Sequence, residues 1–247
     1  MSGTGSCTGD KPKPQRLRPR DAATLIIVER KASEPRLLMG KRRIDQVFLP
    51  GKYVFPGGRV DKADRSMASA DELSAFDQAR LMMEMKGAMN PSRARAIALA
   101  AIRETYEETG LLIGAPGTAP VRNSSGTWPG FLAQGYLPKL GALSFFARAI
   151  TPPGRPRRFD TRFFWADATA IAHKVEARDQ ELTSFDWFTI EEIRTLDLPA
   201  ITRVIIEDLS DRLKDNGGLN IPVPFYHHRA GSFRRELLGV PQIDPES

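Results

Sequence analysis

The stretch Ala-Ile-Arg-Glu-Thr-Tyr-Glu-Glu-Thr-Gly at 101–110 constrains this chain more than any other, because it sets Arg103, Glu104, Glu107 and Glu108 directly beside alanines and isoleucines. Ala94, Ile97, Ala98, Ala101, Ile102 and Thr105 recur at helical spacing, so 92–109 is predicted as an amphipathic helix. Asn90-Pro91-Ser92 is a break from which it can start, and Gly110 is a natural C-terminal cap. Residues three and four apart are neighbours on a helix, so the three glutamates share a face. At about 100° per residue, that face lies at the margin of the apolar stripe and not opposite it. Carboxylates so placed repel one another and lose hydration. A hard cation removes both penalties. Mg²⁺ prefers oxygen ligands, keeps several waters and takes a few carboxylates together with substrate phosphates. Arg103, four residues before Glu107, can orient it or hold a phosphate. The same pattern taken alone also describes a solvated face with surface ion pairs, so its context has to decide.

The surroundings mix strands and helices. Residues 22–30, 36–43, 52–60, 111–113, 143–151, 159–167 and 182–188 are predicted as strands, with Glu34-Pro35 turning between the first two. The third runs into Pro56-Gly57-Gly58, where proline fixes one angle and the glycines permit a sharp turn. Thr189 and Glu192 are spaced as a capping box, and 198–213 is a second amphipathic helix. Residues 61–92 hold five of the seven methionines and a helix-prone run at 71–87. Residues 114–135 are predicted as loop, and the chain from 221 onward has no strong period. There is no internal repeat, and the elements lack strict alternation, which gives an α+β or mixed α/β class. The expected organisation is a basic, disordered tail at 1–20, one domain at 21–220 interrupted by an insertion at 61–92, and an extension at 221–247.

Charge and cysteine content narrow the function. The net charge of +6 comes mostly from the tail, where Lys11, Lys13, Arg16, Arg18 and Arg20 face only Asp10. The remainder is mildly positive, which suits a phosphorylated small molecule and gives no nucleic-acid signature. No run of about 18 apolar residues exists, so no membrane partner is expected. The start of the sequence lacks the apolar core of a signal peptide, and the expected setting is cytoplasmic. Cys7 is the only cysteine, which excludes intrachain disulfides and cysteine-based metal sites.

With the Phe-Pro-Gly-Gly turn upstream and Gly110-Leu111 closing the helix, the chain resembles a Nudix hydrolase. That family's box runs from a glycine and a glutamate to Arg-Glu-aliphatic-X-Glu-Glu-X-Gly-aliphatic, and Arg103 to Leu111 match its second half, with Thr105 at the aliphatic position. The resemblance covers about residues 22–213. It implies a mixed sheet flanked by helices, Mg²⁺ or Mn²⁺ held by Glu104, Glu107 and Glu108, and Arg103 as their orienting partner. Gly57, Gly58 and Arg42 would meet the substrate, and Glu181, like Glu176, would be either a further catalytic acid or a solvated loop acid. The implied reaction is hydrolysis of a diphosphate in a nucleoside diphosphate derivative.

Two departures stand out. Counted back from Arg103, the family's first glutamate falls on Arg95, so the site must do without it or borrow Asp61, Asp64 or Glu84. The long gap after Gly58 resembles the coenzyme A diphosphatase branch, which makes coenzyme A or an acyl-coenzyme A the leading substrate; ADP-ribose, NADH and dinucleoside polyphosphates stay open. A non-catalytic ligand-binding or regulatory module is the rival from another class, and Arg95 is its motive. Isopentenyl diphosphate isomerase shares the fold, but it needs a site cysteine that Cys7 is poorly placed to supply. The methionines of the insertion are expected either to form a lid for a pantetheine or acyl arm or to pack the insertion onto the body. His227-His228 is expected to be a loop pair beside an aromatic residue, with a metal site as the alternative. Arg155, Arg157, Arg158 and Arg162 either grip phosphate or solvate a hairpin tip. A homodimer is the one protein partner considered.

Overall fold

The structure, a computed structural model, describes residues 17–31, 34–46, 49–83, 85, 90–119, 126–179, 181–214 and 222–239. Most of the basic tail with Cys7, Glu84 and Met89 of the insertion, and residues 240–247 of the extension lie outside the described residues.

Strand β1 (Arg20–Glu29) is the spine of the fold. Its apolar run is continuous because both faces are covered: Ala23, Leu25 and Ile27 face one core, and Ile26 and Val28 face a second. β1 pairs antiparallel with β2 (Arg36–Arg42) and with the short β4 (Gly57–Arg59). It pairs parallel with β8 (Phe159–Asp167). β3 (Tyr53–Val54) joins β2. With β7 (Ser144–Ile150), β10 (Leu182–Thr189), β11 (Val223–Arg229) and β12 (Ser232–Leu238), the described residues form a nine-stranded mixed sheet, ordered β10-β2-β1-β8-β7-β11-β12 along its main path. β5 (Leu111–Pro116), β6 (Tyr136–Pro138) and β9 (Ile171–Lys174) make a second, three-stranded sheet.

Two helices close the faces of the main sheet. α2 (Pro91–Thr109) buries Ala94, Ile97, Ala98, Ala101 and Ile102 in the first core. α5 (Ala200–Lys214) buries Ile205, Ile206 and Leu209 in the second. The mixed sheet flanked by helices is thus as expected. α2 starts where Asn90 accepts the Arg93 N–H at 3.0 Å and Pro91 takes the first turn, which needs no amide donor. It ends at Gly110, which has a φ of 72° and lies so close to the Val175 carbonyl that a Cβ would fall 2.0 Å from that oxygen. The capping box before α4 (Ile190–Thr195) is present, with Glu192 bonding back to the Thr189 amide at 2.8 Å.

Three segments differ from expectation. In the segment read as loop, α3 (Trp128–Leu132) buries Trp128 and Phe131 completely. The stretch after 221 is a hairpin of β11 and β12, so His227-His228 lies on a strand and not in a loop. In the insertion, α1 (Ala75–Met82) packs inward. Met67 and Met85 are buried and Met82 packs against the same core, so these three methionines fix the insertion to the body, the alternative to a lid.

Candidate active site

The C-terminal half of α2, the end of β4 and the 3-10 turn after it meet at Arg103. This guanidinium is buried and uses every nitrogen. Nε donates to Asp64 at 2.9 Å, and Nη2 donates to the same carboxylate at 3.1 Å and to the Arg59 carbonyl at 2.7 Å. Nη1 donates to Glu104 and to Glu107, each at 3.0 Å. Burial alone would lower the Arg103 pKa, but Asp64, Glu104 and Glu107 outweigh it and raise it, so the charge is permanent. Thr127 Oγ donates to the second oxygen of Glu107, and Trp128 Nε1 donates to Asp64 at 2.9 Å. α3 and the residue before it therefore brace the carboxylates from the side.

Asp64 resolves the missing acid. It is fully buried in the 3-10 turn Lys62–Arg65, where it also accepts the Asp61 amide at 2.7 Å. Arg95, which occupies the glutamate's slot when residues are counted back along the helix, points to the insertion instead. It donates to Glu72 at 2.9 Å, to Ser69 at 2.6 Å and to the Met67 carbonyl at 2.6 Å. Asp64 stands six residues after Gly58, and residues 65–90 separate it from the helix. Counting forward from Gly58 finds it. The motive for a non-catalytic module falls with that correction.

Gly57 and Gly58 matter through close approach more than through a turn. The Gly57 amide donates to Glu108 at 2.9 Å, and a Cβ on Gly58 would lie 2.5 Å from the Glu104 carboxylate. Burial pushes the Glu104 carboxyl up to about 7; Arg103 opposes the shift and the Glu107 charge adds to it. Glu108 is raised well above the usual range, first by burial and then by Glu104, while the Gly57 N–H works against the rise. Glu181 and Arg42, proposed separately from the sequence, form an ion pair at 2.9 Å. Their opposite charges both reach Glu108. Glu176 is exposed in the loop after β9.

The remaining candidates lie elsewhere. Arg162 is buried in ion pairs with Asp21 at 3.0 Å and Asp160 at 3.1 Å, and Arg158 donates to the carbonyls of Thr151 and Leu17, so neither belongs to a phosphate grip. Arg155 and Arg157 are exposed at the β7–β8 turn. His227 stacks on Phe225 at 4.6 Å, and His228 projects to the opposite face beside Phe233. Thr105, at the aliphatic position of the box, is buried and returns its hydroxyl to the Ala101 carbonyl at 2.8 Å, so it fills an apolar site without an unpaired donor.

Among the described residues no three acidic, histidine or cysteine side chains form a ready-made metal cage. The donor set still fits a hard cation that brings its own waters. It consists of carboxylate oxygens only, and two of the carboxylates are buried where the protein itself disfavours their ionisation.

No family model matches the chain. The acyl-coenzyme A diphosphatase NUDT19 of Gallus gallus is 29% identical over 206 residues, covering 61% of this chain and 53% of that protein. The same enzyme of Xenopus laevis is 26% identical over 207 residues, covering 65% and 54%. The chain thus spans about half the length of the curated relatives it matches. The crystal structure of a Nudix hydrolase from Alicyclobacillus acidocaldarius superposes with a TM-score of 0.58 at 27% identity, over 77% of this chain and 90% of that one. In fold and in the Arg103–Leu111 motif the chain is similar to the Nudix hydrolases. Within that class it resembles the branch of the acyl-coenzyme A diphosphatases. Among the described residues no helix is long and apolar enough to cross a membrane.

Proposed function

We propose that this chain hydrolyses the diphosphate of a nucleoside diphosphate derivative with the help of Mg²⁺ or Mn²⁺, and that its substrate is coenzyme A or an acyl-coenzyme A. One observation carries the reading: a single guanidinium, Arg103, gathers Asp64, Glu104 and Glu107 while Glu108 lies against the glycine loop. So many carboxylates around one cation leave a surplus of negative charge facing that loop. The similarity to two acyl-coenzyme A diphosphatases supports the choice of substrate.

In this reading Glu104, Glu107 and Glu108 would hold the cation. When bound, it would neutralise charge on the diphosphate oxygens and favour attack by water. Arg103 keeps the carboxylates in register, with Asp64 fixing its fork bidentately. Gly57 and Gly58 let the diphosphate approach the backbone, where a side chain would intrude. Arg42 grips a phosphate and holds Glu181, which accepts the proton of the attacking water. Water adds to one phosphorus, the bridging P–O bond breaks, and two phosphomonoesters leave.

The test is mass spectrometry of products from coenzyme A, acetyl-coenzyme A, ADP-ribose, NADH and a dinucleoside polyphosphate, with Mg²⁺ or with EDTA. Cleavage of the coenzyme A derivatives into nucleotide and phosphopantetheine halves, abolished by EDTA, is the expected result. Preference for another member of the panel overturns the substrate, and turnover indifferent to EDTA overturns the metal.

A further inference from the structure

Among the described residues β12 is one edge of the main sheet, and its residues from Ser232 to Leu237 are exposed. Two of the large hydrophobic side chains most exposed among the described residues, Phe233 at 49% and Leu237 at 55%, lie on this one strand, four residues apart and on one face. An open edge with an apolar face is a template for another strand.

The hairpin sets which backbone groups the edge offers. Ala230 and Gly231 both have positive φ, 50° and 80°, which defines a two-residue turn of type I′. The closing pair Arg229–Ser232 is then a hydrogen-bonded one, and so in alternation are His227–Arg234 and Phe225–Glu236. The N–H and C=O groups of Phe233, Arg235 and Leu237 therefore point away from β11, toward the open edge. Pro224, opposite Leu237, fits this phase, since its position needs no amide donor toward β12.

A second copy, related by a two-fold axis normal to the sheet, must pair residues of equal parity, so the axis passes through one residue. Centred on Arg234, the pairing sets Arg234 against itself and Phe233 against Arg235. Centred on Glu236, it sets Glu236 against itself and Arg235 against Leu237. Centred on Arg235, it sets Arg234 against Glu236 twice, in the closer non-hydrogen-bonded geometry, and Phe233 against Leu237 twice. In that register all three outward residues meet outward residues, which allows about six main-chain hydrogen bonds. The cost is Arg235 opposite Arg235, and each already holds its own Asp208 at 3.1 Å.

We propose that two copies of this chain pair antiparallel along β12, centred on Arg235, to form a weak homodimer with a continuous sheet. The inference does not depend on the catalytic reading. Sedimentation velocity of the 247-residue chain from about 1 to about 200 µM should show a concentration-dependent dimer, as expected for a small interface. Arg234→Glu puts like charges opposite each other and should raise the dissociation constant at least about tenfold. Adding Glu236→Arg to that variant should restore the wild-type value. Leu237→Lys, exposed in the monomer and so harmless to the fold, should also weaken the dimer. A chain that stays monomeric throughout overturns the proposal and leaves the edge to a foreign strand. A dimer indifferent to Arg234→Glu and Leu237→Lys overturns it in favour of another surface.

Discussion

In the first half of α2, Arg93 holds Asp21 at 2.7 Å, an acid it shares with Arg162, and Arg95 holds Glu72 at 2.9 Å, so acids do not outnumber the cations they meet. Two turns further on, Arg103 alone faces Asp64, Glu104 and Glu107, with Glu108 behind them. Both halves bury the same apolar stripe on the same sheet. Along one helix, then, burial and amphipathicity do not distinguish scaffold from site, but charge balance does. The matched pairs tie β1 and the insertion to the helix. The unmatched cluster keeps carboxylates partly dehydrated, which is unfavourable unless something positive joins them.

Removing the buried partner should break this contrast most visibly. Asp64→Ala leaves the Arg103 Nε–H and the Trp128 N–H without their acceptor and should cost about 1–3 kcal/mol in a urea titration, the range for buried donors left unsatisfied. A loss below about 1 kcal/mol would mean the cluster is no more demanding than the pairs at the other end. Glu107→Gln should leave the melting transition in place yet lower kcat at least about 10²-fold to 10³-fold. Wild-type turnover in that variant would detach the helix from catalysis.

The raised Glu104 carboxyl gives a prediction with a fixed sign. Its native pKa of about 7 lies above the ordinary 4.5, so the folded state binds the proton more tightly than the unfolded chain does. This group therefore destabilises the metal-free protein progressively as pH rises from 4.5 to about 7, and the penalty is complete above that. Mg²⁺ should relieve it. The gain in melting temperature should be about 5 °C at pH 8 and under about 1 °C at pH 5. An equal gain at both values would show that the cation binds elsewhere. At the matched end, Arg95→Glu should cost no more than about 1 kcal/mol, because Glu72 is largely exposed, and should leave kcat unchanged. A collapse of turnover there would return Arg95 to the site.

The helix 92–109, its cap and the carboxylate face were legible because each is a local pattern: 3.6-residue periodicity, a left-handed glycine and i,i+4 spacing. Asp64 was legible only as one of three acids the site could borrow, beside Asp61 and Glu84, because the partner it meets is fixed by how the insertion folds back, while the count along the helix led to Arg95. α3 was hidden by its five-residue length among glycines and prolines, although Trp128-Pro129 was a signal of burial and of a helix start. The β11–β12 hairpin was missed because β12 is exposed on both faces and carries no alternation. Ala230-Gly231, its one local cue, lacks the usual Asn or Asp. The methionines of the insertion invited a lid because composition records flexibility but not direction.

The separation of Asp64 from Arg103 along the chain also bears on how the protein reaches its native state. Had the acid partner of Arg103 stood in the helix's own lead-in, some eight residues away, that ion pair would form with a local turn. Here it closes across 39 residues. The added loop-closure entropy is only about 1.4 kcal/mol, yet it changes the sequence of events. Helix α2 can dock on the sheet from its alanine stripe before the insertion has settled, but the carboxylate cluster cannot assemble until α1 and the turn at Asp64 have folded over it. Competence for metal should therefore appear last in refolding, as a phase slower than the recovery of helical signal.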